Sequence, residues 1–324
     1  MILVVSFPDD PHAAAVGLAL DRLGERWERI DLADFPERAS LTFSYGPART
    51  PDFRVRLGRR RDLRLGDVRA AWWRRPRPFA PDGVVSPEHR RFAEREWRDA
   101  TLGLWRALRI TWVNDPVAAD VAALKTWQLA LAQDIGLPIP RTIVTSDPRR
   151  ARAFVGDGRP RIYKTLHAER GLWRPTRRVG AAEMRLLGAV RHAPVIFQEH
   201  VPGVDVRVTV VGRRLFPVEI DARRSASPDD FRLDFAGSKV RACRLPTDLG
   251  RRLLRMTRRL GLAYAAFDLR RRRHGEHVFL EVNPGGQWLG FEQISGLPIT
   301  DAVAGLLAAA ARRRSTVRPS PWLP

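Results

Sequence analysis

Lysine, asparagine and cysteine are nearly missing from this chain. Of its 324 residues one is cysteine, three are lysine and two are asparagine, although Lys and Arg together number 57. The single thiol, Cys243, excludes an internal disulfide and any Cys/His metal cluster, and it fits a reducing cytoplasm. No apolar run approaches the roughly 20 residues that cross a bilayer. The start, MILVVSF, has no basic region before it and leads into a polar loop, so a strand is expected there rather than a signal peptide. Zinc-finger spacing, an aromatic RNA-binding signature and a clear helix-turn-helix are also missing. Gly237-Ser238-Lys239 lacks the upstream glycine of a P-loop.

What is abundant is arginine. The formal charge is +21 and the pI about 11.5. Arginines spread along the whole length fit solvated faces, or a basic surface that attracts a nucleotide, a nucleic acid or an acidic peptide. Composition does not choose among these. It does make each retained lysine, Lys125, Lys164 and Lys239, a residue to explain, because an ammonium reaches between phosphates as a point charge where a guanidinium acts as a planar fork.

The hydrophobic pattern alternates strand and helix through the first third of the chain. ILVVSF, RWERIDL and VRAAWWRRP read as strands, 11–24 and 88–109 as helices, and LTFSYG with FRVRLG as a strand pair. Trp72, Trp73, Trp97 and Trp105 read as core or interface rather than as base-stacking groups. Asn114-Asp115-Pro116 starts a helix expected to run through Ala132 with Lys125 at its middle. PRIYKTL places Lys164 on a strand, and 167–178, with Gly171 and Trp173, sits where a flap could cover phosphates. Along 204–210 valines alternate with Asp205, Arg207 and Thr209, so Asp205 and Arg207 share a face as a surface ion pair or as a ribose contact beside a phosphate clamp.

The chemistry concentrates in YAAFDLRRRRHGEHVFLEVNPGGQW, 264–288. A hairpin centred on His274-Gly275 sets Asp268 opposite Glu281, and Asn283, two residues on, shares the face of Glu281. Two carboxylates and an amide are hard oxygen ligands that suit magnesium. Alternatively, Asn283-Pro284-Gly285 is only a turn.

In chain order, Lys125, Lys164, Gln198-Glu199-His200-Val201, Asp205, Arg207, Asp268, Glu281 and Asn283 resemble the ATP-grasp ligases. WWRRP, WVNDP, the K-x-x-Q-L run at 125–129, GLPIPRT, FLEVNPGGQW and GLPITDAVAGLL resemble more narrowly the microviridin-type peptide maturases, or graspetide synthetases. The resemblance implies a mixed α/β and α+β fold. Residues 1–113 would form a pre-ATP-grasp domain, 114–197 a central subdomain, 198–313 a C-terminal subdomain with the metal site, and 314–324 a disordered tail. It further implies that Lys125 and Lys164 hold ATP phosphates, that Gln198, Glu199, His200 and Val201 line the adenine, and that Asp205 takes the ribose. Arg207, with Arg232 as a second candidate, would clamp the transferred phosphoryl group or the substrate carboxylate. Asp268, Glu281 and Asn283 would bind two magnesium ions.

The activity implied is an ATP-dependent peptide macrocyclase. It would phosphorylate Asp or Glu side chains of a ribosomal precursor peptide to acyl phosphates and join them to Thr, Ser or Lys side chains as ω-esters or ω-amides. Phosphorylation gives an unreactive carboxylate a leaving group. The partner would be a precursor with a leader and an acidic core, and the resemblance also implies a homodimer, with neither membrane nor nucleic acid as a partner. Glu219 and Asp221 are candidate bases or plain surface carboxylates, and 206–221 with 223–241 is the expected peptide contact. The alternatives are an ATP-grasp ligase acting on free amino acids, dipeptides or a protein tail, and a basic nucleic-acid-binding protein.

Overall fold

The computed structural model describes residues 1–47, 51–59, 61–84, 86–167, 176–222, 234–235 and 237–313, which divide into two compact units, Met1–Val117 with Pro298–Pro324 and Ala118–Leu297.

In the first unit β1 (Ile2–Ser6) is buried along its whole length, as an apolar run without alternation requires when a strand is covered on both faces. Asp10 caps α1 (Pro11–Arg22) by accepting the His12 amide at 3.0 Å. β2 (Trp27–Ile30) then pairs parallel to β1. A three-stranded antiparallel sheet follows, β3 (Ala39–Ser44), β4 (Asp52–Leu57) and β5 (Arg61–Arg64). The sequence pattern shows only two of these, because RDLR is too short and too charged to read as a strand. β6 (Ala70–Arg75), α2 (Pro87–Ala107) and β7 (Thr111–Val113) complete a parallel sheet of order β2-β1-β6-β7. Trp72 is 2% exposed, and Trp73, Trp105 and Trp112 meet edge to face at 5.4–6.2 Å, so these tryptophans are core. The last helix, Ile299–Arg312, packs its Val303, Ala304 and Leu307 face in this unit beside α1, and Arg312 pairs with Glu25 at 2.7 Å. The sequence reading grouped it with residues 198–313.

Between the units in the sequence, α3 (Pro116–Ala122) and α4 (Lys125–Ile135) replace the single helix expected. Leu124 is extended, with ψ 102°, and breaks it. Lys125 is therefore the first residue of α4 and not its middle. Gly136, at φ 81°, ends the helix in the left-handed region that glycine adopts without a steric penalty.

The second unit holds two antiparallel sheets. β8 (Thr142–Thr145), α5 (Pro148–Val155), β9 (Arg161–Lys164), β10 (Arg177–Arg178), α6 (Ala181–Leu186) and β11 (Val195–Glu199) give a sheet of order β10-β9-β11-β8. β12 (Val204–Val211), β13 (Arg214–Asp221), β14 (Lys239–Ala242), α7 (Thr247–Arg259), β15 (Tyr264–Arg271), β16 (His277–Asn283) and α8 (Leu289–Ser295) give one of order β14-β13-β12-β15-β16. One face of the larger sheet, with Val206, Val208, Val210, Ala265, Phe267, Leu269, Phe279 and Val282, packs on Leu131 and Ile135 of α4 and on Leu253 and Met256 of α7. The polar residues between those apolar positions are left on the other face. Among the described residues no helix is long and apolar enough to cross a membrane.

Candidate active site

The polar face of the larger sheet carries Asp205, Arg207 and Thr209 on β12, Ala266, Asp268 and Arg270 on β15, and Glu281 and Asn283 on β16. The ladder sets Arg207 against Asp268, Asp205 against Arg270, Asp268 against Glu281 and Ala266 against Asn283. Asp268 thus faces Glu281 as the sequence predicts, but the route is different. The hairpin closes around Arg272 and Gly275, with Arg271 opposite His277, a register one residue away from the expected one. The ladder then shifts between Asp268 and Leu269, where Leu269 pairs with Phe279. Leu280 is the extra residue, a bulge. It restores the opposition of Asp268 and Glu281, and it lets Phe279 and Val282 both pack in the core although they are three apart.

Two cations sit against this acidic pair. Arg207 Nη1 donates to both oxygens of Asp268 at 2.6 and 2.7 Å. Lys125 Nζ lies 3.7 Å from Glu281 Oε2 and donates to the Thr165 carbonyl at 2.9 Å, which joins the end of β9 to β16. Burial works against the charge of Arg207, but Asp268, with Tyr264 and Glu281, outweighs it and holds the guanidinium pKa above its ordinary value. Its Nε is buried without a hydrogen-bond partner among the described residues, and its guanidinium carbon stands 5.8 Å from the Phe291 ring centre. Asp205 and Arg207 share a face as expected, yet each pairs with an opposite charge across the ladder. Asp205 Oδ2 accepts from Arg270 Nη1 at 2.8 Å, and Arg270 Nε donates to the Val201 carbonyl at 3.2 Å.

Asn283 does serve in a turn, since its Oδ1 accepts the Gly285 amide at 2.9 Å. The turn lies tightly on the sheet. A Cβ on Gly286 would come within 2.4 Å of Ala266 Cβ and 2.6 Å of Arg207 Nη2, and the Tyr264 hydroxyl donates to the Gly286 carbonyl at 2.9 Å. An amide oxygen has two lone pairs, so Asn283 can still offer one to a cation.

On the smaller sheet, Ile162, Lys164, Ile196 and Gln198 share a face by register, opposite the Tyr163 and Phe197 face that packs on α5. Gln198 is 1% exposed. Its Nε2 donates to Thr142 Oγ1 at 2.9 Å, while its Oε1 is buried without a partner among the described residues. The Glu199 amide is committed to the Arg141 carbonyl, and the His200 amide to the Pro160 carbonyl. Glu199 also pairs with Arg272 at 3.1 Å. Lys164 and Gln198 thus share one face of the smaller sheet, Arg207, Asp268, Glu281 and Asn283 one face of the larger, and Lys125 of α4 touches both β16 and the end of β9.

Glu219 is not on that face. It pairs with Val206 in the ladder, so it and Asp221 lie on the side away from Arg207, and Glu219 is ion-paired to Arg241 at 2.7 Å and to Arg271. This removes both as bases at the Asp268 site. Arg232, Trp173 with the rest of 168–175, 223–233 and the tail 314–324 lie outside the described residues. Sequence reasoning passed over Arg270, Leu280, Gly286 and Gln128. For Arg270 the signal was available, since alternation from Asp268 puts it on the same face.

Asp268, Glu281 and Asn283 fit a hard divalent cation: they are oxygen donors, and a cationic side chain already stands against each carboxylate. Among the described residues no group of three or more His, Cys, Asp and Glu gathers as a metal cluster. Magnesium at such a set keeps waters and shares a nucleotide's phosphates.

Residues 1–120 match the family model of the MvdD pre-ATP grasp domain. A probable alpha-L-glutamate ligase of Alkalilimnicola ehrlichii is 30% identical over 212 residues, covering 63% of this chain and 69% of that protein. The macrocyclase MdnC of Microcystis aeruginosa MRC, solved with its precursor peptide MdnA, is 26% identical with a TM-score of 0.82 over 95% of this chain and 99% of its own. The ATP-grasp ligase PsnB, solved with a phosphomimetic variant of a minimal precursor, Mg and ADP, is 25% identical with a TM-score of 0.76 over 96% of this chain and 98% of its own.

Proposed function

The chain belongs to the ATP-grasp ligases, and from that premise we propose that it condenses side chains within a ribosomally made peptide. The observation that carries this reading is the Arg207–Asp268–Glu281–Lys125 array: two carboxylates opposed on the polar face of the larger sheet, with a cation against each from β12 and from α4, in the unit whose smaller sheet carries Lys164 and Gln198 on one face. Likeness along nearly the whole chain to ligases solved with precursor peptides supports a peptide as the acceptor of the phosphoryl group.

In this reading Lys125 and Lys164 orient the ATP phosphates, and Gln198 Oε1, which has no partner among the described residues, accepts from the adenine amino group. Asp205, fixed by Arg270, takes the ribose. Asp268, Glu281 and Asn283 would hold magnesium, which when bound neutralises charge on the transferring phosphoryl group. Arg207 orients either the substrate carboxylate or the departing γ-phosphoryl group. The carboxylate attacks the γ-phosphorus, ADP leaves, and a hydroxyl or amine of the same peptide displaces phosphate from the acyl phosphate, losing its proton. Holding both reacting groups in one chain favours closure over hydrolysis. Arg232 as a second clamp, the cytoplasm as the location and a homodimer as the assembly belong to this proposal, as do the subdomain boundaries at 113 and 197.

A ligase for free glutamate is the second reading, favoured by the name of the 30% identical relative. ADP release with an acidic precursor peptide, compared with release on free glutamate alone, decides between them. Turnover that requires the peptide supports ring formation. Turnover on free glutamate, with peptide mass unchanged, assigns the second.

A further inference from the structure

β16 is an edge strand, and its ladder to β15 is interrupted at Leu280, immediately before the acidic residue the site needs. A strand whose register is broken on its one paired side can slip, and a slip of one residue exchanges its two faces. Here that would drive Glu281 into the core. Something must hold β16 from outside.

Gln128 of α4 does so. It is 2% exposed. Its Nε2 donates to the Val282 carbonyl at 2.8 Å and to the Ala122 carbonyl at 2.6 Å, and its Oε1 accepts the Val282 amide at 3.0 Å. Both protons of the amide group and its oxygen are thus used, and the side chain pairs with Val282 as a neighbouring strand would. Val282 lies between Glu281 and Asn283. A second tie, from the Phe279 amide to the Pro138 carbonyl at 2.7 Å, holds the strand on the other side of the bulge. Lys125, one turn earlier on α4, stands against Glu281, so a single helix end fixes both the backbone and the charge of the site.

We propose that Gln128 is a positioning residue for the cation site: it fixes β16 at Val282, so that Glu281 lies opposite Asp268 and Asn283 opposite Ala266, both on the polar face. This rests on the magnesium-nucleotide reading above, and the ordinary alternative is a buried glutamine that only closes the sheet edge. The two differ in what they predict beyond stability.

The test uses the full chain, its Gln128→Leu variant and its Gln128→Glu variant, which keeps an acceptor for the Val282 amide but loses the donors. Two quantities are read. One is amide hydrogen exchange along β12, β15 and β16; the other is Mn2+ binding with ADP, followed by electron paramagnetic resonance. In Gln128→Leu, exchange at 281–283 is expected to rise at least about tenfold while β12 and β15 keep their protection, since a local opening exposes only its own amides. Mn2+ affinity is expected to fall at least tenfold, and Gln128→Glu to lie between Gln128→Leu and the parent on both measures. Unchanged exchange at 281–283, loss spread evenly over the three strands, or local loosening with unaltered Mn2+ affinity would each overturn the proposal. If Gln128→Leu does not fold, Gln128→Glu alone decides by the same criteria. Failure of the parent protein to bind Mn2+ with ADP would instead overturn the nucleotide reading, and with it the role of Gln128 toward a cation, while the exchange arm still reports whether Gln128 holds the strand.

Discussion

Glu281 faces Asp268 across β15 and β16 because Leu280 is an extra residue in the ladder. The bulge separates two demands on one short strand: Phe279 and Val282 fill the core, and Glu281 stays on the polar face. Deleting Leu280 makes Phe279, Glu281 and Val282 successive residues, so the ladder becomes regular with Glu281 still opposite Asp268. The deletion should fold with Glu281 on the polar face and lose no more than one of the outside ties of β16, to Pro138 or to Gln128, about 1 kcal/mol, and Leu280→Ala, which keeps the bulge, should lose neither. Calorimetry and ADP release check both.

Arg207 is buried against Asp268 through Nη1. Replacing it by Met leaves a partly buried carboxylate without its main counter-charge, with an expected cost of about 3 kcal/mol and a fall in kcat/KM of about 100-fold or more. Arg207→Lys should recover stability better than activity, because a point charge does not reproduce the planar fork. Urea unfolding beside initial rates separates the two effects.

Gly286→Ala places a methyl group 2.4 Å from Ala266 Cβ and 2.6 Å from Arg207 Nη2. Overpacking of this kind costs about 1–3 kcal/mol. Since the backbone of Gly286 is fixed by the Tyr264 hydroxyl, the turn cannot move away freely. The pair Gly286→Ala with Ala266→Gly should regain part of the loss in urea unfolding.

The first unit should lose stability in acid in two steps. His12 is buried beside Asp10, Ser6 and Arg74. Burial depresses the His12 pKa, with Arg74 and Arg75 adding to this and Asp10 opposing. The unfolded chain therefore binds a proton first, and stability falls as pH drops below the ordinary histidine value of about 6.5. Burial raises the Asp10 pKa, but hydrogen bonds from His12 and Ser6 and the charge on Arg74 outweigh it and hold the carboxyl well below the usual range. Its contribution is present above about pH 3.9 and is lost as pH falls from there toward its folded value. The first step should vanish in His12→Gln, as followed by thermal melts between pH 7.5 and 4.5.

Much of this was legible in the residues. Alternation along 204–210 put Asp205 and Arg207 on one face, and the hairpin placed Asp268 opposite Glu281. Buried apolar β1 and the tryptophan core followed from periodicity. The bulge was not legible, because FLEV alternates no differently with or without it; only packing of both Phe279 and Val282 requires it. The break at Leu124 was hidden for the opposite reason: ALKTWQLA has good helix propensity throughout, and only the contacts of Lys125 and Gln128 give the break a role. Cross-strand pairing of Asp205 with Arg270, and of Glu219 with Arg241 and Arg271, depends on sheet order, which no local pattern carries.

The most direct measurement is the intact mass of an acidic, Thr-rich precursor peptide after incubation with the protein and magnesium-ATP, beside a Glu281→Gln control. Loss of one water per ring, with one ADP released for each and neither change in the control, is the expected result. ADP release on the peptide without any loss of water, or loss of water that persists in Glu281→Gln, would contradict the account.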